Sequence, residues 1–71
     1  MERIQVASSS IASVGYEAAA AVLEIEFAGG AIYQYFGVPQ DVYEELLNAA
    51  SKGMYFHENI RRRGYSYAKV C

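Results

Sequence analysis

Hydrophobic and polar positions alternate most cleanly over residues 21–27, AVLEIEF, where Leu23, Ile25 and Phe27 fall on one side and Val22, Glu24 and Glu26 on the other. A period of two places successive side chains on opposite faces of a sheet and predicts a half-buried strand. Gly29-Gly30 follows, a dipeptide suited to the positive φ angles of a two-residue hairpin turn, and AIYQYFGV returns behind it as the partner strand. With both glycines central in the turn, Phe27 lies opposite Ile32, Glu26 opposite Tyr33, Glu24 opposite Tyr35 and Leu23 opposite Phe36, and opposed residues share a face. That register predicts a core face of Leu23, Ile25, Phe27, Ile32 and Phe36, interrupted by Gln34, and a half-wet face carrying Tyr33 and Tyr35 beside Glu24 and Glu26. A three-residue loop moves the pairing by one and puts both tyrosines with the apolar residues instead.

Upstream, IASVGY (Ile11–Tyr16) is short and compatible with a strand, and Glu17–Ala20 is a turn-length break. Downstream, VPQDVYEELLNAASKG reads as a helix. Pro39 suits its first position, and Asp41, Glu44 and Glu45 lie in the early turns, where the helix dipole favours acids. Val42, Leu46, Ala49 and Ala50 recur at helical spacing with Tyr43 and Leu47 beside them, a stripe able to cover the apolar face of the sheet. Gly53 supplies a helix stop, Ser51 a local cap, and Lys52 between them is expected to project outward. Phe56 and Ile60, four apart, predict a short second helix ended by Gly64, and YSYAKV forms a last strand. The chain is therefore expected to be one domain, residues 1–71, of the α+β class: a small antiparallel β-meander of three strands plus a C-terminal strand, packed against one main α-helix and a short second helix.

At 71 residues the chain buries only roughly 60% of the surface it exposes when unfolded, so the core is small. The single cysteine is Cys71, which excludes an intramolecular disulfide and a paired metal-ligand spacing. No apolar run approaches the ~20 residues of a membrane span, and MERIQVASSS lacks the features of a secretory leader, so the expectation is a cytoplasmic protein without membrane contact. Charge is divided unevenly. Residues 1–50 carry one base (Arg3) against seven acids, whereas residues 51–71 carry five bases (Lys52, Arg61, Arg62, Arg63, Lys69) against Glu58 alone. An asymmetry of this kind marks either a contact with an anion or a solvated loop end.

The succession SSSIASVGY, a Leu-x-Ile-x-Phe strand, Gly30, Tyr33-x-Tyr35, Val38-Pro39, Ser51-Lys52-Gly53, Tyr55-Phe56, Ile60-Arg61 and Tyr65-x-Tyr67 resembles the KTSC domain from about Val6 to Val70. That resemblance implies a domain found at the C-terminus of some lysyl-tRNA synthetases and as a stand-alone small bacterial protein. It has no established biochemical function, and RNA is the partner suggested by its attachment to a tRNA-charging enzyme.

The residues fit three function classes unequally. For RNA, two aromatics at i and i+2 on a strand have the spacing by which RNA-recognition sheets stack bases. The expected neighbourhood of Glu24 and Glu26 disfavours Tyr33 and Tyr35, so the candidate face is the C-terminal one: Lys52, Arg61, Arg62, Arg63 and Lys69 for phosphate, with Tyr55, Tyr65 and Tyr67 for stacking. The alternative is a protein-interaction or homodimer surface built on Tyr33 and Tyr35, since seven tyrosines and three phenylalanines exceed the needs of so small a core. Enzymatic chemistry is the poorest fit: His57 stands alone, Ser8–Ser10 read as turn residues, and neither a phosphate-binding glycine loop nor a metal-ligand cluster is present. No catalytic residue, metal or small-molecule cofactor is expected.

Overall fold

The computed structural model describes all 71 residues. Five strands lie side by side in chain order: β1 (Ile4–Gln5), β2 (Ile11–Glu17), β3 (Val22–Phe27), β4 (Ile32–Phe36) and β5 (Tyr67–Lys69), each antiparallel to the next. Between β4 and β5 run α1 (Gln40–Asn48) and α2 (Lys52–Phe56), the latter continuing directly into a π-helical turn, His57–Arg61. The α+β meander is thus as expected in outline, with one more strand, β1, at its leading edge.

The register of the central hairpin departs from expectation. The Phe27 amide donates to the Ala31 carbonyl at 2.8 Å and the Gly30 amide to the Phe27 carbonyl at 2.9 Å, so the loop is Ala28-Gly29-Gly30. Only Gly30 takes the left-handed region, at φ +99°, which is the geometry of a three-residue hairpin closed by a glycine bulge. Val22 consequently opposes Phe36, Leu23 opposes Tyr35, Glu24 opposes Gln34, Ile25 opposes Tyr33, and Glu26 opposes Ile32. Tyr33 and Tyr35 therefore share the face of Leu23 and Ile25 and not that of the glutamates, while Phe36 turns to the outer face and stays exposed.

The inner face is covered by the helices. Val14, Leu23 and Ile25 of the sheet meet Leu46 of α1, Phe56 of α2 and Ile60 of the π turn, with Ile11 and Val38 closing the ends. Seven of these side chains are almost wholly buried, and burying each contributes ~1.5–3 kcal/mol against leaving it wet. Val42, Tyr43 and Leu47 pack on the rim, as the helical stripe predicts. Tyr43 stacks on Tyr16 with centroids 5.1 Å apart, and the Tyr16 hydroxyl donates to the Val38 carbonyl at 2.5 Å.

Helix boundaries follow local chemistry, with three corrections. Pro39 is the cap residue just outside α1, and its carbonyl accepts from the Val42 amide at 3.1 Å. Gly53 does not end that helix. It lies inside α2, where a Cβ would sit 3.0 Å from Ser10 Oγ, so its lack of a side chain admits the Ser8–Ser10 loop. Lys52 does not project freely either: its ammonium donates to the Ala49 carbonyl at 3.1 Å, satisfying the C-terminal end of α1. Ser51 caps α2 by accepting from the Met54 amide at 3.3 Å. Ser8 Oγ accepts from the Ser10 and Ile11 amides, the turn role expected of that run.

The outer face is held by polar contacts. Arg3, just ahead of β1, donates to Glu24 and, through Nε, to Ser13 Oγ at 2.9 Å. Gln34 donates to the other oxygen of Glu24 at 2.8 Å, and Ser13 donates to Glu26 at 2.8 Å. Burial by itself would push the Glu24 carboxyl up, but the hydrogen bonds from Gln34 and Arg3 outweigh it and hold the group below the usual carboxylate range. Two residues carry no periodicity, so pattern alone does not predict β1, whose anchor is this ion pair and not an apolar side chain.

Candidate nucleic-acid interface

A groove on the inner face is lined by the sheet, α2 and the π turn, with no residue of α1. β4 contributes Tyr33 and Tyr35, and β5 contributes Tyr67 opposite Tyr35 and Lys69 opposite Tyr33. The Tyr33 and Tyr35 rings lie 6.3 Å apart and near parallel, and Tyr67 sits 6.0 and 5.7 Å from them, tilted to both. Phe56 fills the floor, edge-on to Tyr35 at 5.4 Å and to Phe27 at 5.3 Å. Tyr65 closes the far wall, and the space enclosed is about 660 Å³. Arg61 is the one charged residue lining it.

Arg61 reaches the groove because of the π turn. In an α-helix, five residues on from Phe56 would place a side chain about 140° round the axis, away from the sheet. The wider turn, in which the Arg62 amide donates to the His57 carbonyl at 3.1 Å, closes that angle, and Phe56 and Arg61 line the same space. The Asn59 side chain supports the turn by donating to the Tyr55 carbonyl at 3.2 Å. Gly64, at φ +79°, then reverses the chain into Tyr65 and β5. The Tyr35 phenol is pushed up to about 12, chiefly by burial and further by Tyr33, with Arg61 acting in the opposite direction.

The residues singled out from sequence divide into two sets. Arg61, Tyr65 and Tyr67 converge on the groove together with Tyr33 and Tyr35, and Lys69 stands beside them on β5. Lys52, Tyr55, Arg62 and Arg63 do not line the groove. Arg62 is paired with Glu58 at 2.8 Å, an i,i+4 ion pair that lowers the Glu58 carboxyl. The Tyr55 hydroxyl donates to Glu45 at 2.6 Å; burial first, and then Glu45, push that phenol up to about 12, with the charge of Arg63 acting in the opposite direction. Lys52 caps α1. Phe27, expected in the core, and Phe56, expected as part of the short second helix, also line the groove. The register correction removes the carboxylates from the tyrosine pair, since Glu24 and Glu26 lie on the opposite face of the sheet.

The KTSC domain pattern matches residues 7–65. The chain belongs to the KTSC family. A KTSC domain protein of Yersinia pestis, known from a crystal structure, superposes with a TM-score of 0.87 at 35% identity, covering 99% of this chain and 97% of that one. An uncharacterised protein of Stutzerimonas stutzeri strain A1501 is 39% identical over 70 residues, 99% of each chain. A lysine–tRNA ligase of Nostoc sp. strain PCC 7120 is 51% identical over 53 residues, which are 75% of this KTSC chain and 9% of the ligase. No helix of the KTSC fold here is long and apolar enough to cross a membrane.

Proposed function

We propose that this KTSC domain is a binding module without chemistry of its own, that its ligand is RNA of the tRNA class, and that it works in the cytoplasm. The observation that carries the reading is the clustering of Tyr33, Tyr35, Tyr65 and Tyr67 around Arg61, on the face of the sheet opposite Glu24 and Glu26. A base stacked on a free aromatic ring gains ~1–3 kcal/mol, and a guanidinium at the rim holds the phosphate that follows it. The domain's occurrence within lysine–tRNA ligases supports tRNA over other polyanions. A protein partner or a second copy is the alternative, favoured by Tyr67, which is 65% exposed on an edge strand and has the amphipathic character of an interface anchor.

The test is a salt titration of binding to labelled single-stranded RNA and to bulk tRNA, with Arg61→Gln and Lys69→Gln beside the wild type. Affinity should fall with salt by a log–log slope of about −0.7 per phosphate contacted, and each substitution should make that slope shallower by about 0.7. Absence of binding at low salt sinks the RNA reading and leaves the tyrosines to a protein partner.

A further inference from the structure

We infer that the groove seats a single unstacked nucleotide, with its base on the Tyr67 ring and its phosphate on Arg61, so that the domain selects unpaired over paired RNA. This rests on the RNA reading above. Three features of the groove lead to it.

The first is size and access. A space of about 660 Å³ falls within the ~300–1,000 Å³ usual for small-molecule sites and is open on one side. A paired base shows only its edges to a protein, whereas an unpaired one can be splayed out and offered face-on.

The second is the state of the rings. Tyr35 and Phe56 are buried against each other edge to face, and Tyr33 runs near parallel to Tyr35, so these rings are committed to one another. Tyr67 is tilted 51° to Tyr33 and 35° to Tyr35, parallel to neither, and at 65% exposed it is the aromatic side chain of the groove most open to a ligand. Stacking a planar base there covers the most exposed aromatic surface of the molecule.

The third is charge. The groove holds one cation and no carboxylate. Of the three consecutive arginines, Arg62 is paired with Glu58 and only Arg61 lines the groove, so the π turn delivers a single guanidinium to the aromatic wall. One guanidinium with five N–H donors matches one phosphate group. Lys69, two residues along β5 from Tyr67, stands where the backbone of a longer strand leaves the groove.

The experiment follows the Tyr67 ring resonances by NMR while 5′-AMP, adenosine or inorganic phosphate is added, and in parallel measures labelled single-stranded RNA against the same strand annealed to its complement. AMP should bind at least several-fold tighter than adenosine, shift Tyr67, and displace the single strand, and the duplex should bind at least tenfold more weakly. Arg61→Gln should erase the preference for AMP over adenosine. Tyr67→Leu, which keeps apolar area but removes the ring face, should lose both ligands. Single-stranded RNA that binds without displacement by AMP, or a duplex that binds equally well, overturns the nucleotide seat and leaves the RNA reading standing. AMP binding with no RNA binding keeps the seat and overturns the RNA reading. Loss of both signals overturns both.

Discussion

Replacing Gly15 by alanine tests whether the outer face depends on close passage of the N-terminal segment. Gly15 opposes Glu24 across β2–β3, and the chain entering β1 crosses directly over it. A Cβ at this position would overlap the Glu2 carbonyl oxygen and lie 3.0 Å from Arg3 Cγ, so the obstacle is largely backbone and cannot rotate away. The segment must lift by roughly an ångström, and overfilling a packed site costs ~1–3 kcal/mol. Lifting it also draws Arg3 from Glu24 and Ser13, hydrogen bonds to charged groups whose net contribution is ~1.5–3 kcal/mol each, reduced here because water enters as the strand peels away. Relief of the glycine's own backbone entropy returns about 0.5–1 kcal/mol. The expected net loss is ~2–3 kcal/mol, a large share of the ~4–10 kcal/mol typical of a chain this long. Urea unfolding of the wild type, Gly15→Ala, Arg3→Ala and the double variant measures it. Arg3→Ala should cost at least ~1 kcal/mol less in the Gly15→Ala background, because the alanine has already displaced the arginine. Acid titration supplies an independent check. Glu24 has its folded pKa below the unfolded value, so its stabilisation is present above the unfolded value and lost as pH falls through the folded one. Gly15→Ala should flatten that acid limb. Additive free energies within ~0.5 kcal/mol, or an unchanged acid limb, would show that Gly15 does not govern the Arg3–Glu24 contact.

Two further perturbations reach other parts of the fold. Ala21 is the one residue other than glycine with positive φ, at +55°, a conformation costing an L-residue ~1–2 kcal/mol. Ala21→Gly should therefore raise stability by up to about 1 kcal/mol, or ~4–8 °C in Tm for a domain of this size, and calorimetry showing no rise would place the strain elsewhere. Tyr35 and Tyr55 both have phenols raised to about 12, chiefly by burial, above the unfolded value near 10. Their stabilisation is complete below pH ~10 and lost as pH rises from there through ~12, so urea midpoints should drop over that window, and the drop should shrink in Tyr35→Phe and Tyr55→Phe.

The existence and order of the central elements were legible because each carries its own signal. Leu23, Ile25 and Phe27 alternate with polar residues, Pro39 and Asp41 mark the start of α1, and Phe56 with Ile60 marks the second helical segment. Register was not legible. In IYQYF every position except Gln34 can face a core, so β4 has no phase of its own, and Gly29-Gly30 accepts either a two- or a three-residue turn. The choice is made by the whole sheet: the three-residue loop lets Glu24 and Gln34 meet under Arg3, a contact between residues too far apart in the chain for local pattern to reveal. The candidate site was half legible for a similar reason. Arg61, Arg62 and Arg63 are indistinguishable as text, and only the π turn and the position of Glu58 separate the groove-facing side chain from the paired one.

The hairpin register also sets what an approaching polyanion feels. Glu24 and Glu26 lie behind the sheet, and the molecule is at least 21 Å across in each direction. At physiological ionic strength the electric field of an exposed charge decays over about 8 Å, so a strand at the groove senses Arg61 and Lys69 ahead of the acids behind the sheet. Diluting the salt to ~0.01 M stretches that reach to about 30 Å, beyond the whole molecule, and the overall charge of −2 then acts as one repulsive body. Dilute buffer therefore slows the approach of a distant polyanion, while the contacts that Arg61 and Lys69 make once it is seated still strengthen as salt falls.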